Sequence, residues 1–149
     1  MASRNVAEVQ KATLDRFIQT WAEWSPDGFM ETWTDDCTQQ NLPFSMNSDV
    51  KTREQVKHFF PVLMSLLTNF KLTVHNVVND VAGRKAVIYA ITEADTPWGP
   101  YKNEHAMFLW FTEDGGKVKK IEEMFDRVVM EDLLPKIGQY MAQQHGAGK

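Results

Sequence analysis

Apolar residues in the first part of the chain recur at the spacing of an α-helix. The residues that form this stripe are Leu14, Phe17, Ile18 and Trp21. Asn5, followed three residues later by Glu8, has the pattern of a capping box. Together these features predict a first helix over residues 6–24.

A second, short helix is expected directly afterwards. Ser25 followed by Pro26 is typical of an N-cap and a first helical residue. The apolar residues that this helix would carry are Phe29, Met30 and Trp33. An extended segment over residues 37–41 follows, and Pro43 is expected to end it.

The longest apolar stripe begins behind a second capping box, at Thr52 and Gln55. Its members, spaced for one face of a helix, are Val56, Phe59, Phe60, Leu63, Met64 and Leu67. Pro61 lies within the stripe and is expected to kink or divide the helix.

The second half of the chain is predicted to be mainly extended. Phe70, Leu72 and Val74 alternate with polar residues, and further strands are expected over residues 85–95, 101–111 and 118–126. Asp114-Gly115-Gly116 marks a hairpin between the last two. A final helix is predicted over residues 130–143, with Pro135 in or near its first turn, and residues 145–149 are expected to form a disordered tail.

Helices followed by a run of antiparallel strands indicate an α+β fold. The length of 149 residues favours one domain that spans the whole chain. A single sheet of this length covers its helices only by curving round them, which leaves a cone with an open mouth. Nine Phe, five Trp, three Tyr and eight Met supply suitable lining for such a cone.

Charge and composition exclude several classes of function. The net charge is −4, and each half of the chain contributes −2, which disfavours nucleic-acid and anionic-membrane partners. Cys37 is the only cysteine, so no intramolecular disulfide or multi-cysteine metal site is expected. No signal-peptide layout or membrane span is evident, and we expect no metal ion and a cytoplasmic location.

Two residues on the last predicted hairpin suggest chemistry. Period-two alternation places His105 on one face with Met107 and Phe111, and Glu123 on one face with Phe125. If Phe111 pairs with Lys117, His105 and Glu123 lie directly opposite each other. A shift by one residue brings Glu122 or Met124 opposite His105 instead, with Asp126 on the shared face. An imidazole and a carboxylate on an apolar floor suit proton transfer, although an ordinary cross-strand polar contact is the alternative.

The order of elements and several short stretches resemble the SnoaL-like branch of the nuclear-transport-factor-2-like (cystatin-like) cone fold, in particular its small fungal members. The resemblance extends from about residue 7 to residue 137. The stretches that carry it are Asp36-Cys37 with Leu42-Pro43, FKLTVHN at 70–76, Ala94-Asp95-Thr96 with Gly99, YKNE at 101–104 and IEEMFD at 121–126.

The resemblance implies an enzyme without a cofactor, commonly a homodimer packed through its sheets. Members isomerise, rearrange or cyclise hydrophobic polycyclic intermediates of polyketide, meroterpenoid or indole-alkaloid pathways. The family's acidic residue on its last strand falls at Glu123, and His105 stands where the family often has Tyr. We therefore expect an isomerase or cyclase; the alternatives are a dehydratase of the scytalone-dehydratase type and a non-catalytic binder of lipophilic ligands.

Further residues are candidates for the same site. Asp126 is expected at the pocket rim, as a third catalytic residue, or simply at the strand end. Orienting polar groups would come from Gln39, Asn41, Tyr101 and Asn103, although Gln39 and Asn41 also suit a solvated edge. Trp98 either covers the cone mouth or is a surface aromatic in a turn. The apolar residues expected against the substrate are Met107, Phe125, Phe60 and Met64.

Overall fold

The computed structural model describes residues 5–147. Its helices α1 to α4 span Val6–Glu23, Pro26–Phe29, Arg53–Leu66 and Arg127–Ala147. Its strands β1 to β6 span Trp33–Leu42, Lys51–Thr52, Thr68–Asp80, Lys85–Thr96, Gly99–Phe111 and Val118–Phe125. A short 3-10 turn, Phe44–Met46, connects β1 to β2.

The strands form one curved, six-stranded sheet in the order β2-β1-β6-β5-β4-β3. The pairings are antiparallel except that β1 runs parallel to β6. The α+β fold predicted from the sequence is confirmed. The parallel β1–β6 pair was not predicted, because these two strands are far apart in the sequence and no local pattern shows that they are neighbours in the sheet.

The core lies between the inner face of this sheet and helices α1 to α3. Along β4 and β5, alternate residues are buried, as expected for strands with one face toward a core. The predicted helix stripe is at the centre, since Leu14, Phe17 and Trp21 of α1 are at most 3% exposed. The side chains that complete this core are mainly Phe29, Trp33, Phe60, Ile88, Leu109 and Phe111.

The hairpin between β5 and β6 is fixed to α1 at one position. Gly115 has a φ of +77°, and a Cβ there would lie 2.9 Å from the Gln10 side chain. The Gly115 carbonyl also accepts a hydrogen bond of 2.7 Å from the Thr13 hydroxyl. Both the left-handed backbone and the close approach require glycine, so this turn holds the far end of the sheet against the helix.

Helix starts agree with the capping signals, whereas the second helix is shorter than expected. Asn5 caps α1, and Thr52 and Gln55 form the predicted capping box of α3. Helix α2 ends at Phe29, and Trp33 is not helical but opens β1, which is correspondingly longer than residues 37–41. Pairing of Trp33 with Val118 of β6 outweighs the local helical pattern.

Helices α3 and α4 each contain an internal proline. Helix α3 continues through Pro61 and is not divided. Helix α4 begins three residues earlier than predicted, at Arg127, so Pro135 lies in its interior and not near its first turn. Residues 145–147, expected in a disordered tail, belong to α4, while 148 and 149 lie outside the described residues.

The register of the β5–β6 hairpin corrects the predicted pairing. Phe111 pairs with Val118 and not with Lys117. The Thr112 amide donates to the Lys117 carbonyl, and the Lys117 amide donates to the Thr112 hydroxyl, so Thr112 and not Phe111 stands opposite Lys117. An irregularity between Trp110 and Phe111 then shifts the register once more. As a result, His105 pairs with Phe125, and Glu123 pairs with Met107.

No helix within residues 5–147 is both long and apolar enough to cross a membrane.

Candidate active site

A cavity of about 230 Å³ lies between the inner face of the sheet and helices α1, α3 and α4. Its walls are mostly aromatic and aliphatic, as is typical of sites for small hydrophobic ligands. The main apolar residues are Trp21, Trp24, Phe59, Phe60, Leu63, Met64, Phe70, Phe125, Met130, Leu133 and Leu134. The polar residues that reach it are Gln39, Asn41, Ser48, Lys51, Thr92, Tyr101, His105 and Glu123.

His105 and Glu123 meet on the floor of this cavity. The Nδ1 atom of His105 lies 3.1 Å from the Oε1 atom of Glu123, and the two side chains are 9% and 17% exposed. They are diagonal rather than direct cross-strand neighbours, since Glu123 pairs with Met107. Diagonal neighbours on adjacent strands are still within reach of long side chains, and the glutamate is long enough to bridge the offset.

The imidazole ring is fixed by two aromatic neighbours. The rings of Trp21 and Phe125 pack edge-on against His105, with centroids at 5.6 Å and 6.5 Å. Trp21 comes from α1 and Phe125 from β6, so the helix and the sheet both restrict the ring. Such packing limits the histidine to one orientation without supplying any charge.

The second ring nitrogen of His105 is occupied by Thr92. The Thr92 Oγ1 atom lies 2.8 Å from Nε2, and Thr92 is only 2% exposed. Both ring nitrogens therefore have partners, one a carboxylate and one a hydroxyl. A hydroxyl can donate or accept, so the contact accommodates either tautomer and the imidazolium form.

Tyr101 adds a neutral hydroxyl to the same group. Burial raises the pKa of the Tyr101 hydroxyl, and the nearby Thr92 hydroxyl only partly offsets this rise. The hydroxyl therefore keeps its proton at neutral pH and is able to donate a hydrogen bond. Asn103 is 2% exposed, and its Nδ2 atom has no hydrogen-bond partner within residues 5–147.

Asn103 serves the backbone more directly than the cavity. Its Oδ1 atom accepts hydrogen bonds from the amides of Glu104, at 2.8 Å, and Asp126, at 2.9 Å. These contacts join β5 to the end of β6 behind the cavity wall. We therefore place Asn103 behind Tyr101, where it holds the site together.

The two candidate amides on β1 do point inward. Asn41 pairs with Glu123 across the parallel β1–β6 ladder, and Gln39 precedes it by two residues on the same face. Gln39 donates a hydrogen bond of 3.4 Å to Asn41. Both side chains line the cavity, so they lie at the site rather than at a solvated edge.

Three other candidates lie away from the cavity lining. The Asp126 side chain is exposed, and its Oδ1 atom accepts from the Val128 amide at 3.0 Å, so it caps α4 instead of facing His105. Trp98 is 39% exposed and lies beside α4 in a separate surface hollow. Met107 is 1% exposed and packs in the core beneath the pair.

Thr92, Lys51 and the residues of α4 are site components that sequence reasoning missed. Thr92 had a visible signal, since it is the single polar residue among the alternating inward positions Ile88, Ala90 and Ala94 of β4. Lys51 and α4 had none, because only the folded chain places them over the cavity. Among residues 5–147, no three or more His, Cys, Asp or Glu side chains cluster in a way that would hold a metal ion.

A curved sheet that encloses an apolar cavity with a buried His–Glu pair defines a small, cone-shaped α+β protein. Comparison with known families agrees with this architecture, because residues 14–121 match the SnoaL-like domain. The chain belongs to the SnoaL-like family.

Its sequence relatives include fungal proteins. The chain is 61% identical over 136 residues to a protein of Aspergillus novofumigatus named monooxygenase nsrQ, covering 91% of this chain and 90% of that protein. It is 56% identical over 141 residues to monooxygenase AacuP of Aspergillus aculeatus, with coverage of 95% and 97%.

Solved structures share the fold at lower identity. The BvnE pinacolase of Penicillium brevicompactum superimposes with a TM-score of 0.77 at 23% identity, over 99% of this chain and 97% of that one. PrhC of Penicillium brasilianum gives a TM-score of 0.79 at 24% identity, over 93% of each chain. These similarities support the fold, and the chemistry has to be argued from the site.

Proposed function

We propose that this protein is a cofactor-independent isomerase or cyclase that rearranges a hydrophobic polycyclic intermediate of fungal secondary metabolism by acid–base chemistry. The observation that carries the proposal is the His105–Glu123 pair, held at 3.1 Å within an otherwise apolar cavity. The substrate class follows from the aromatic and aliphatic walls, which offer little to a small polar metabolite.

The geometry suggests a separate role for each residue of the His105–Glu123 pair. His105 contacts the Oε1 atom of the Glu123 carboxylate, and Glu123 lines the cavity, so we assign the other oxygen, Oε2, as the base. Glu123 accepts a proton from a carbon next to a substrate carbonyl, so that a C–H bond breaks and an O–H bond forms. Return of that proton to another carbon forms a new C–H bond, restores the carboxylate and moves the double bond.

Negative charge develops on the carbonyl oxygen during this transfer. Tyr101 is suited to stabilise it, because its hydroxyl is neutral, buried and next to Thr92. A preorganised donor in a water-poor cavity is most effective where charge forms. His105 orients Glu123 and shares its proton, and Gln39 and Asn41 hold polar substituents of the substrate.

Monooxygenation is a second candidate, because the two fungal relatives described above carry that name. The same base would generate a carbanion from an activated CH2 group, and the carbanion would react with O2. Both hydrogens are then replaced by a C=O bond, one oxygen atom enters the product and the other leaves as water. The substrate supplies all the electrons, so the reaction balances with O2 as co-reactant.

One experiment separates these reactions. The substrate is the metabolite that accumulates when the gene is deleted, purified and incubated with the pure protein in D2O and under ¹⁸O2. An isomerase or cyclase gives a product of unchanged mass in H2O that gains deuterium in D2O. Uptake of ¹⁸O indicates oxygenation, loss of the mass of water indicates a dehydratase, and unchanged bound ligand indicates a carrier. Each of these three results would overturn the isomerase proposal.

We also propose that the protein is a homodimer joined through the outer face of its sheet. Support comes from apolar side chains that this face leaves exposed, among them Val78, Tyr89 and Met124 at 58%, 38% and 43%. Light scattering should give a dimer mass for the native protein and a monomer for Val78→Asp. Val128→Asp, on helix α4 where the native side chain is 75% exposed, is the matched control and should stay dimeric.

A further inference from the structure

The polar residues of the cavity form two groups, which adjoin where Asn41 pairs with Glu123 across the β1–β6 ladder. One group is the acid–base pair with Thr92 and Tyr101, and the other lies at the end formed by β1, β2 and the connection between them. The second group contains Gln39, Asn41, Ser48 and Lys51. Lys51 is the only cationic residue among the side chains that line the cavity within residues 5–147.

Strand pairing explains why Lys51 faces inward. Lys51 pairs with Gln39 in the antiparallel β1–β2 ladder, and directly paired residues project to the same face. Gln39 lines the cavity, so Lys51 projects into it as well. The ammonium group lies 5.6 Å from the centre of the Phe59 ring, close enough for a cation–π contact that holds it over the cavity wall.

Lys51 has no anionic partner in the described part of the chain, where no carboxylate lies within 4.0 Å of its Nζ atom. The surface lysines either form an ion pair, as Lys11, Lys120 and Lys136 do, or are exposed to solvent, as Lys57 and Lys119 are. A half-buried ammonium beside an apolar wall is costly unless an anion meets it. The cavity therefore offers a positive charge that the protein itself does not neutralise.

We propose that Lys51 binds an anionic oxygen on the substrate, either a ring carboxylate or an ionised phenol. This inference rests on the proposed function and adds the charge and the orientation of the substrate. Lys51 and Glu123 lie two strands and two residues apart, roughly 12 Å between Cα atoms in an ideal sheet. A fused-ring substrate bridges that gap with its anionic edge at Lys51 and its reacting carbon at Glu123. The negative charge of Glu123 disfavours the reverse orientation.

Binding of simple probes tests this without turnover. Quenching of Trp21 and Trp24 fluorescence reports entry into the cavity, because both side chains line it. 2-Naphthoate is compared with neutral 2-naphthamide, and a nitro-substituted naphthol that is ionised at neutral pH is compared with its methyl ether. The two pairs separate carboxylate from phenolate recognition.

Lys51→Met should weaken binding of the preferred anionic probe about tenfold, the effect expected for one charge-assisted contact. The neutral probe should change less than twofold, and Lys51→Arg should retain most of the affinity. Lys57→Met, an exposed lysine on α3, is the matched control and should leave both probes unchanged. Equal loss for charged and neutral probes, no loss for either, or no binding of the anions to the native protein would each overturn the inference.

Failure of the proposed reaction is distinguishable from failure of this inference. His105→Ala and Glu123→Gln remove the acid–base pair but leave Lys51 in place, so they should keep the preference for the anionic probe. A protein without isomerase activity that still binds the anions through Lys51 would contradict the proposed reaction and support the anion site.

Discussion

Thr92 Oγ1 lies 2.8 Å from His105 Nε2, on the side of the ring opposite the contact with Glu123. The ring is thus held at both nitrogens, and its direction toward the carboxylate does not depend on the substrate. We expect Thr92 to act as a positioning residue for His105. Its own hydroxyl also reaches the cavity, beside Tyr101.

Thr92→Val keeps the shape of the side chain and removes the hydroxyl. We expect kcat to fall about tenfold, equivalent to about 1.4 kcal/mol and near the upper end for one neutral hydrogen bond. The pH dependence of kcat should also shift, because the imidazole loses the partner of one nitrogen. Thr92→Ser should restore both rate and profile; if Ser behaves like Val, the hydroxyl is not what matters.

Removal of the pair itself should have a larger effect. We expect His105→Ala and Glu123→Gln each to reduce kcat by about 10²–10⁴-fold, the range for general acid–base groups. Thermal unfolding should show that both variants remain folded. Glu122→Gln is the matched control, because Glu122 pairs with Lys120 and is not part of the cavity lining. A comparable loss in Glu122→Gln, or full activity in both pair variants, would contradict the assignment.

Local patterns predicted the fold because most of its elements are encoded locally. The N-cap at Asn5, the capping box at Thr52 and the alternation in β4 and β5 are all readable over a few residues. The register of β5 against β6 could not be predicted locally. It depends on the hydrogen bond from the Lys117 amide to the Thr112 hydroxyl in the turn and on the irregularity between Trp110 and Phe111. His105 and Glu123 still meet, because a long side chain tolerates a diagonal offset.

The candidate site was predicted in part for a related reason. Inward-facing residues of predicted strands, such as Tyr101 and His105, were identified from alternation. Lys51 belongs to a two-residue strand that gives no pattern of its own, and its inward direction follows only from pairing with Gln39. Asp126 was misplaced because β6 ends one residue before it, and the chain then turns into α4.

Asn103 is expected to be important for stability. Its Oδ1 atom accepts from two backbone amides, and Asn103→Ala removes this acceptor from both and leaves the Asp126 amide only its longer contact, at 3.3 Å, with the Glu104 carbonyl. We expect a loss of about 2 kcal/mol in the free energy of unfolding, measured by urea denaturation. Asn103→Asp keeps the acceptor oxygens and should separate loss of the acceptor from loss of the Nδ2 group. A smaller loss of stability in Asn103→Ala than in Asn103→Asp would contradict the view that the acceptor oxygen of Asn103 stabilises the fold.

Asp126 should behave as a helix cap. Its carboxylate accepts from the Val128 amide at the start of α4, so Asp126→Ala should cost about 1 kcal/mol of stability. Asp126→Asn should keep the cap, since asparagine is an equally good N-cap residue. If Asp126 is a helix cap, both variants should retain kcat within about twofold of the native value. A 10²-fold or larger loss of kcat in Asp126→Asn would instead indicate that Asp126 is a catalytic residue.

Cys37 should make stability decline at alkaline pH. Its side chain is fully buried, and this burial, with a smaller contribution from Asp36, raises the pKa of the thiol from an ordinary 9.0 to about 12. The unfolded chain releases the proton first, so the stabilising contribution is complete below about pH 9 and is lost between pH 9 and 12.

Lysines and tyrosines titrate in the same range, so the measurement is the difference between the native protein and Cys37→Ala in urea denaturation at pH 8 and pH 10. The native protein should lose more stability than the variant over that interval, and its thiol should react with a disulfide reagent only after unfolding. Equal losses, or rapid labelling of the folded protein, would show that the thiol is not held in its neutral form.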